Sequence, residues 1–166
     1  MIFLKVKEYN RKKAVEYATK WAYKRNPKYY NFDNVGGDST SFISQCIYAG
    51  AGTMNYKKHI GWYYNSSSDR TASWSGVEFL YNFLTTNKSI GPRATNVKID
   101  SLEIGDIIQL RFLQDRFSHS LIIVDKRGSN LEDIYIATHT DDAYYRKLST
   151  YTFQDIRFLH ITNVGI

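Results

Sequence analysis

The chain has 166 residues, the size of one domain with interior enough for a single good core. Hydrophobic content of 43% and charge of 23% exclude a disordered or fibrous chain, and one Cys excludes an intramolecular disulfide and a Cys-rich zinc site. A net charge of +6 favours anionic partners, but the 22 Lys and Arg are scattered with no run of five or more, which argues against a nucleic-acid binder.

The opening Met1-Ile2-Phe3-Leu4-Lys5-Val6-Lys7 is too short and too broken by Lys to be an export h-region, and nothing approaches a membrane span. Asn10 caps a helix with an apolar face of Ala14, Tyr17, Ala18, Trp21 and Ala22; it ends near Asn26 because Pro27 disfavours helical geometry in the residue before it. The connection from Lys28 to Val35 is polar and aromatic. Its Tyr residues either line a groove or pack beside the first helix.

Next come Gly36 and Gly37, which permit a tight backbone approach, followed by Asp38 as a good N-cap. Ser39 then sits in the first turn of a helix, among exposed N–H groups and at the positive end of the helix dipole, a place suited to a nucleophile. Phe42, Cys46 and Ala49 recur at the spacing of a buried helix face, so Cys46, the one thiol, is expected to be buried and inert.

The run Gly36-Gly37-Asp38-Ser39-Thr40-Ser41-Phe42-Ile43-Ser44-Gln45 resembles the Gly-Gly-Asp-Cys-Thr-Asn-Phe-Val-Ser-Gln signature of an amidase domain family related to the NlpC/P60 papain-like cell-wall hydrolases. The likeness runs from Tyr9 to Ile161. Tyr9, Arg11, Ala14, Tyr17 and Ala18 match the family's opening pattern, and Leu102-Glu103-Ile104-Gly105-Asp106 looks like the turn that introduces its central strand. One departure matters most: the family's nucleophilic Cys falls on Ser39. An engineered Cys-to-Ser exchange, a natural serine hydrolase and a degenerate wall-binding domain each account for it.

Residues 51–70 read as loop, with Gly61-Trp62-Tyr63-Tyr64 as an aromatic platform for sugar or peptide. Ser75 as N-cap, Glu78 three residues on and the Trp74/Phe79 pair form the start signal of a further helix, with Val77, Leu80, Phe83 and Leu84 inward and Asn87 or Gly91-Pro92 closing it. After Pro92 the pattern becomes β-like, at Ile107-Leu110, Leu121-Val124, Ile134-Thr138 and Ile156-Ile161. Helices first and strands later predict an α+β domain with an antiparallel sheet.

The runs at 121–124 and 134–138 flank the turn-rich Arg127-Gly128-Ser129-Asn130 and should form a hairpin. In a symmetric hairpin His119 faces His139 on one side of the sheet, with Asp141 on the same side if the strand continues; a slip of one residue separates them. His119 is then the base for residue 39, and His139, Asp141 or Asp142 holds its ring, with His139 preferred. His59 and His160 lack such company and read as structural.

The resemblance implies a papain-like NlpC/P60-type fold, N-terminal helices packed on the antiparallel sheet, spanning 1–166 as a single domain. It implies a cysteine-type amidase or endopeptidase acting on peptidoglycan amide bonds, inactive or weak with Ser39; the alternative is a non-catalytic wall-binding module. Expected site residues are Ser39, His119, His139 and Asp141 for catalysis, with Asp38, Tyr30, Asn34, Trp62 and Tyr64 for substrate, Tyr30 or Asn34 doubling as the second oxyanion donor. No cofactor or metal is expected. The partners expected are a stem peptide or muropeptide and anionic wall polymers, for a monomer that is secreted or wall-associated as an excised domain or phage lysin.

Overall fold

Asn10 opens the first helix as its sequence position predicts: its side-chain oxygen accepts from the Lys13 N–H at 3.0 Å, ahead of α1 at Arg11–Trp21. The computed structural model describes residues 5–166; residues 1–4, part of the opening read above as no export signal, lie outside the described residues. Ala14 and Ala18 of α1 are buried against α2, Ser39–Ala51, an almost wholly buried helix that ends at Gly52 in the left-handed conformation. The two helices approach so closely that a Cβ on Gly50 would lie 2.5 Å from the Tyr9 ring and 2.7 Å from the Asn10 carbonyl.

Residues 51–70 contain more order than a loop. Asn55 and Trp62 form a β-bridge, and β2 (Tyr64–Ser66) pairs with β3 (Asp69–Arg70). The following helix breaks in two, α3 at Ala72–Ser75 and α4 at Val77–Thr86. Ser75 therefore does not cap it: Gly76 stands at the start of α4, the Ser75 hydroxyl is held by Arg70 at 2.7 Å, and Trp74 is buried while Phe79 is 60% exposed, so the hydrophobic staple does not form. Leu80, Phe83 and Leu84 do face inward, and Asn87 closes the helix.

The remaining strands, with β1 at Val6–Lys7, build one antiparallel sheet: β4 (Gly91–Asn96), β5 (Ile107–Arg111), β6 (His119–Lys126), β7 (Ile134–Thr138), β8 (Ala143–Lys147) and β9 (Asp155–Gly165). Its order is β1-β9-β5-β6-β7-β8, with β4 also paired to β9. This is the expected α+β architecture. Pro92, which cannot donate to a ladder, is tolerated because β4 pairs with β9 alone.

Strand alternation divides the interior in two. Ile107 and Ile122, paired across β5 and β6, pack under the helices with Phe42, Ile43, Ile47, Trp62 and Trp74. Ile108 and Leu110 with Leu121 and Ile123 point to the opposite face, covered by Leu148, Tyr151 and Phe153. Two of the family-like segments meet at one side: Tyr9 Oη donates to the Gly105 carbonyl at 2.9 Å, and Arg11 Nη1 lies 2.7 Å from the buried Asp106 carboxylate, which also receives the Ile161 N–H. Those motif residues tie α1 to the sheet.

Candidate active site

Gly36 and Gly37 both take positive φ, +82° and +95°, a turn that side-chain-bearing residues resist, and they deliver the chain to the tip of α2. Asp38 is not the cap its position suggests. Its carboxylate makes no bond to the first turn; Oδ1 accepts from the Phe32 N–H at 2.9 Å, Oδ2 lies 2.6 Å from His139 Nδ1, and Arg25 stands 3.6 Å away. With 1% of its surface exposed, Asp38 closes the 32–38 turn.

Ser39 follows as the first residue of α2, beside helix N–H groups that have no intrahelical partner. Its Oγ accepts from the backbone N–H of Ser120 at 3.4 Å. The His119 ring thus leaves the backbone one residue from the point where the Ser39 hydroxyl touches β6. Among the described residues no hydrogen bond joins ring to hydroxyl, a spacing common before substrate closes a site.

A buried polar chain fixes this contact. Thr40 Oγ1 lies 2.9 Å from Ser120 Oγ, Gln109 Nε2 donates to the same oxygen at 3.2 Å, and Arg157 grips Gln109 Oε1 at 2.6 and 2.8 Å. Sequence reading missed Thr40, Gln109 and Ser120; the one visible signal was polar side chains inside otherwise apolar strands.

The hairpin register separates the two histidines. Ile122 pairs with Ala137 and Ile123 with Ile136, one residue away from the register in which His119 faces His139, and a bulge lies between Ile123 and Asp125. His139 consequently points into the helix layer. It stacks on Phe42 at 3.8 Å, and both ring nitrogens meet acceptors, the Asp38 carboxylate and the Trp21 carbonyl at 2.7 Å.

Thr138 takes the place beside the His119 ring. Its hydroxyl donates to the Ser120 carbonyl at 2.8 Å, which leaves the oxygen free to accept from His119 Nε2 at 3.4 Å. That tautomer leaves Nδ1 as the basic nitrogen. Asp141 lines the same cavity of about 240 Å³ as His119, whereas Asp142 is held by Arg25 in two contacts of 2.9 Å.

His119 is 6% exposed, and burial lowers its pKa to about 4; the Asp141 charge works the other way, and Arg146 adds to the depression. The ring is neutral at pH 7. Unfolding returns it to about 6.5, so the unfolded chain binds more protons between these values, and the stability present above pH 6.5 falls as pH drops towards 4, by roughly 3 kcal/mol for this group. Urea titrations of the protein and of His119→Gln at pH 7 and 4.5 check this: the variant should lose markedly less stability on acidification.

The aromatic platform is not one. Trp62 is fully buried, its indole N–H donating to Ser44 Oγ at 3.0 Å, and Tyr64 packs against both Tyr29 and Trp74 with its hydroxyl accepting from the Tyr30 N–H at 2.8 Å. That bond occupies the Tyr30 amide as an oxyanion donor, although the Tyr30 ring is 44% exposed; Asn34 is exposed in the turn before Gly36. Trp62→Phe is expected to cost about 1–3 kcal/mol in thermal or urea unfolding through lost packing and the lost indole bond to Ser44, whose hydroxyl keeps its bond to the Trp74 carbonyl at 2.7 Å, with peptide binding unchanged. Cys46 is buried in the core, which pushes its thiol pKa well up, away from nucleophilic use.

Among the described residues no group of three or more His, Cys, Asp and Glu is placed to hold a metal ion, and no helix is long and apolar enough to cross a membrane. Ser39 thus stands on a helix tip beside the strand that carries His119, an arrangement that suits an amidase-type hydrolase domain. Residues 8–162 match the family described as "Putative amidase domain", and the chain belongs to that family. It is also 36% identical over 142 residues to the uncharacterized protein YhbB of Bacillus subtilis (strain 168), covering 83% of this chain and 44% of that protein, so the chain spans less than half the relative's length. No solved structure matches it.

Proposed function

We propose that this domain is built for papain-like hydrolysis of amide bonds in the peptidoglycan stem peptide or its muramoyl linkage, with position 39 as nucleophile and His119 as base. The observation that carries the reading is the contact of Ser39 Oγ with the strand residue next to His119, at the tip of a buried helix. With Cys at 39, His119 Nδ1 takes the thiol proton and the thiolate attacks the carbonyl carbon. The backbone N–H of residue 39 steadies the oxyanion, worth roughly a hundred- to a thousandfold in rate for one such donor. The imidazolium then protonates the departing amine, and water attacking the acyl-enzyme regenerates the thiol.

Ser39 weakens every step that depends on the nucleophile. A hydroxyl is far less acidic than a thiol, and a buried imidazole with a pKa near 4 is a poor base for it. The same observation favours a second reading, a wall-peptide binding module. Mass spectrometry of peptidoglycan digested with Ser39→Cys separates the two: soluble fragments with new amine ends support the hydrolase, and release no greater than that of the Ser39 protein leaves the binding module.

Adhesion to anionic wall polymers follows from the charge of +6. Pull-down with wall fragments should weaken steeply between low and high salt. Retention indifferent to salt removes that partner.

A further inference from the structure

The cavity beside His119 has a wall that hydrolysis does not use. Arg146 of β8 and Tyr151 line it together with His119 and Asp141. The Arg146 guanidinium is fixed on one side: Nε donates to Thr150 Oγ1 at 2.7 Å, Nη2 to the Thr150 carbonyl at 3.2 Å, and the group lies 3.7 Å over the Tyr151 ring. Among the described residues Nη1 has no hydrogen-bond partner and no carboxylate forms an ion pair with Arg146. The Tyr151 hydroxyl is shut from solvent with the Arg146 guanidinium beside it, and so lies out of a ligand's reach. A half-buried guanidinium, held rigid with a donor nitrogen to spare, is built for a planar anion.

Asp141 limits which anion. Thr140 and Asp141 take successive positive φ, 63° and 55°, a backbone conformation rare in residues with side chains, and their turn brings the Asp141 carboxylate to the same cavity. Its charge opposes a dianion such as a phosphate monoester. A single carboxylate is tolerated.

We infer that Arg146 is a specificity subsite for one carboxylate of the substrate, adjacent to the amide presented to residue 39. The identity of the bond cut rests on the hydrolytic reading above; the chemistry of the subsite does not. In a stem peptide the carboxylate comes from one of two sources, the α-carboxylate of a D-isoglutamyl residue or the C-terminus.

Calorimetric titration of the Ser39 protein with a synthetic stem tripeptide containing D-isoglutamate tests this without turnover. Two further peptides replace each carboxylate in turn by carboxamide. One of the two amidations should weaken binding at least about tenfold, the scale of a hydrogen-bonded charge, and which one identifies the source. Arg146→Gln should bind all three peptides alike, and Arg146→Lys should keep part of the preference. Equal binding of the acid and both amides by the unsubstituted protein overturns the subsite, as does a parent peptide that fails to bind at millimolar concentration; neither outcome depends on a variant that folds. Carboxylate preference with no hydrolysis by Ser39→Cys would remove the hydrolase and keep the subsite, whereas hydrolysis blind to amidation would do the reverse.

Discussion

Replacing Ser39 by Cys is expected to raise amide hydrolysis on peptidoglycan peptides by roughly a thousandfold or more, the scale on which nucleophiles contribute in enzymes of this type. On the proposed reading three features serve sulfur: the first turn of α2 offers unpaired N–H groups, the Ser120 N–H points at the side chain of residue 39, and the His119 ring is presented on the adjacent residue of β6. A thiolate draws on all three, and its charge raises the affinity of the buried imidazole for the proton it must carry. The new activity should be abolished by iodoacetamide and reduced about 10²–10⁴-fold by His119→Gln in the same background. Activity in the Cys variant that survives His119→Gln unchanged would assign the base elsewhere. Thr138→Val should lower kcat with little change in KM, because it releases the ring without touching substrate.

Asp38→Ala is expected to destabilise the fold by about 3–5 kcal/mol, the cost of breaking a buried charge cluster from one side. For a chain of this length that corresponds to a fall in Tm of roughly 10 °C. The carboxylate serves three partners at once, the Phe32 N–H, the His139 ring and Arg25, and Arg25 in turn holds Asp33 and Asp142. Its loss leaves His139 buried against Phe42 with one nitrogen unmatched and frees the 32–38 turn that sets residue 39 at the helix tip. Differential scanning calorimetry reads the effect. An unshifted Tm combined with a raised KM in the Ser39→Cys background would instead make Asp38 a contact for a substrate amine, the role implied by the family resemblance.

What was legible in the sequence was local. The Asn10 cap, the Gly36-Gly37 turn, the buried face of α2 and the apolar runs of β5, β6, β7 and β9 depend on neighbours a few residues apart, and the chain's own pattern records them. Trp62 and Tyr64 misled because aromatic residues in a polar stretch look the same whether they line a groove or plug the space between α2 and α3. Burial against Ser44 and Trp74 decides between those outcomes. Ser75 misled for a related reason: Arg70, brought alongside by β3, competes for the hydroxyl that a helix start would use.

The sequence by itself determined an α+β chain with Ser39 in the first turn of a helix, because glycine turns and side-chain periodicity are short-range consequences of backbone sterics. Tertiary structure alone decided which polar groups meet. One bulge in β6 turns His139 away from His119 and puts Thr138 at the ring, and packing of the α2 tip on β6 brings Ser120 to Ser39. A strand's side chains alternate with a period of two, so a single residue of register, set by packing across the whole sheet, decides whether Thr138 or His139 stands at the His119 ring.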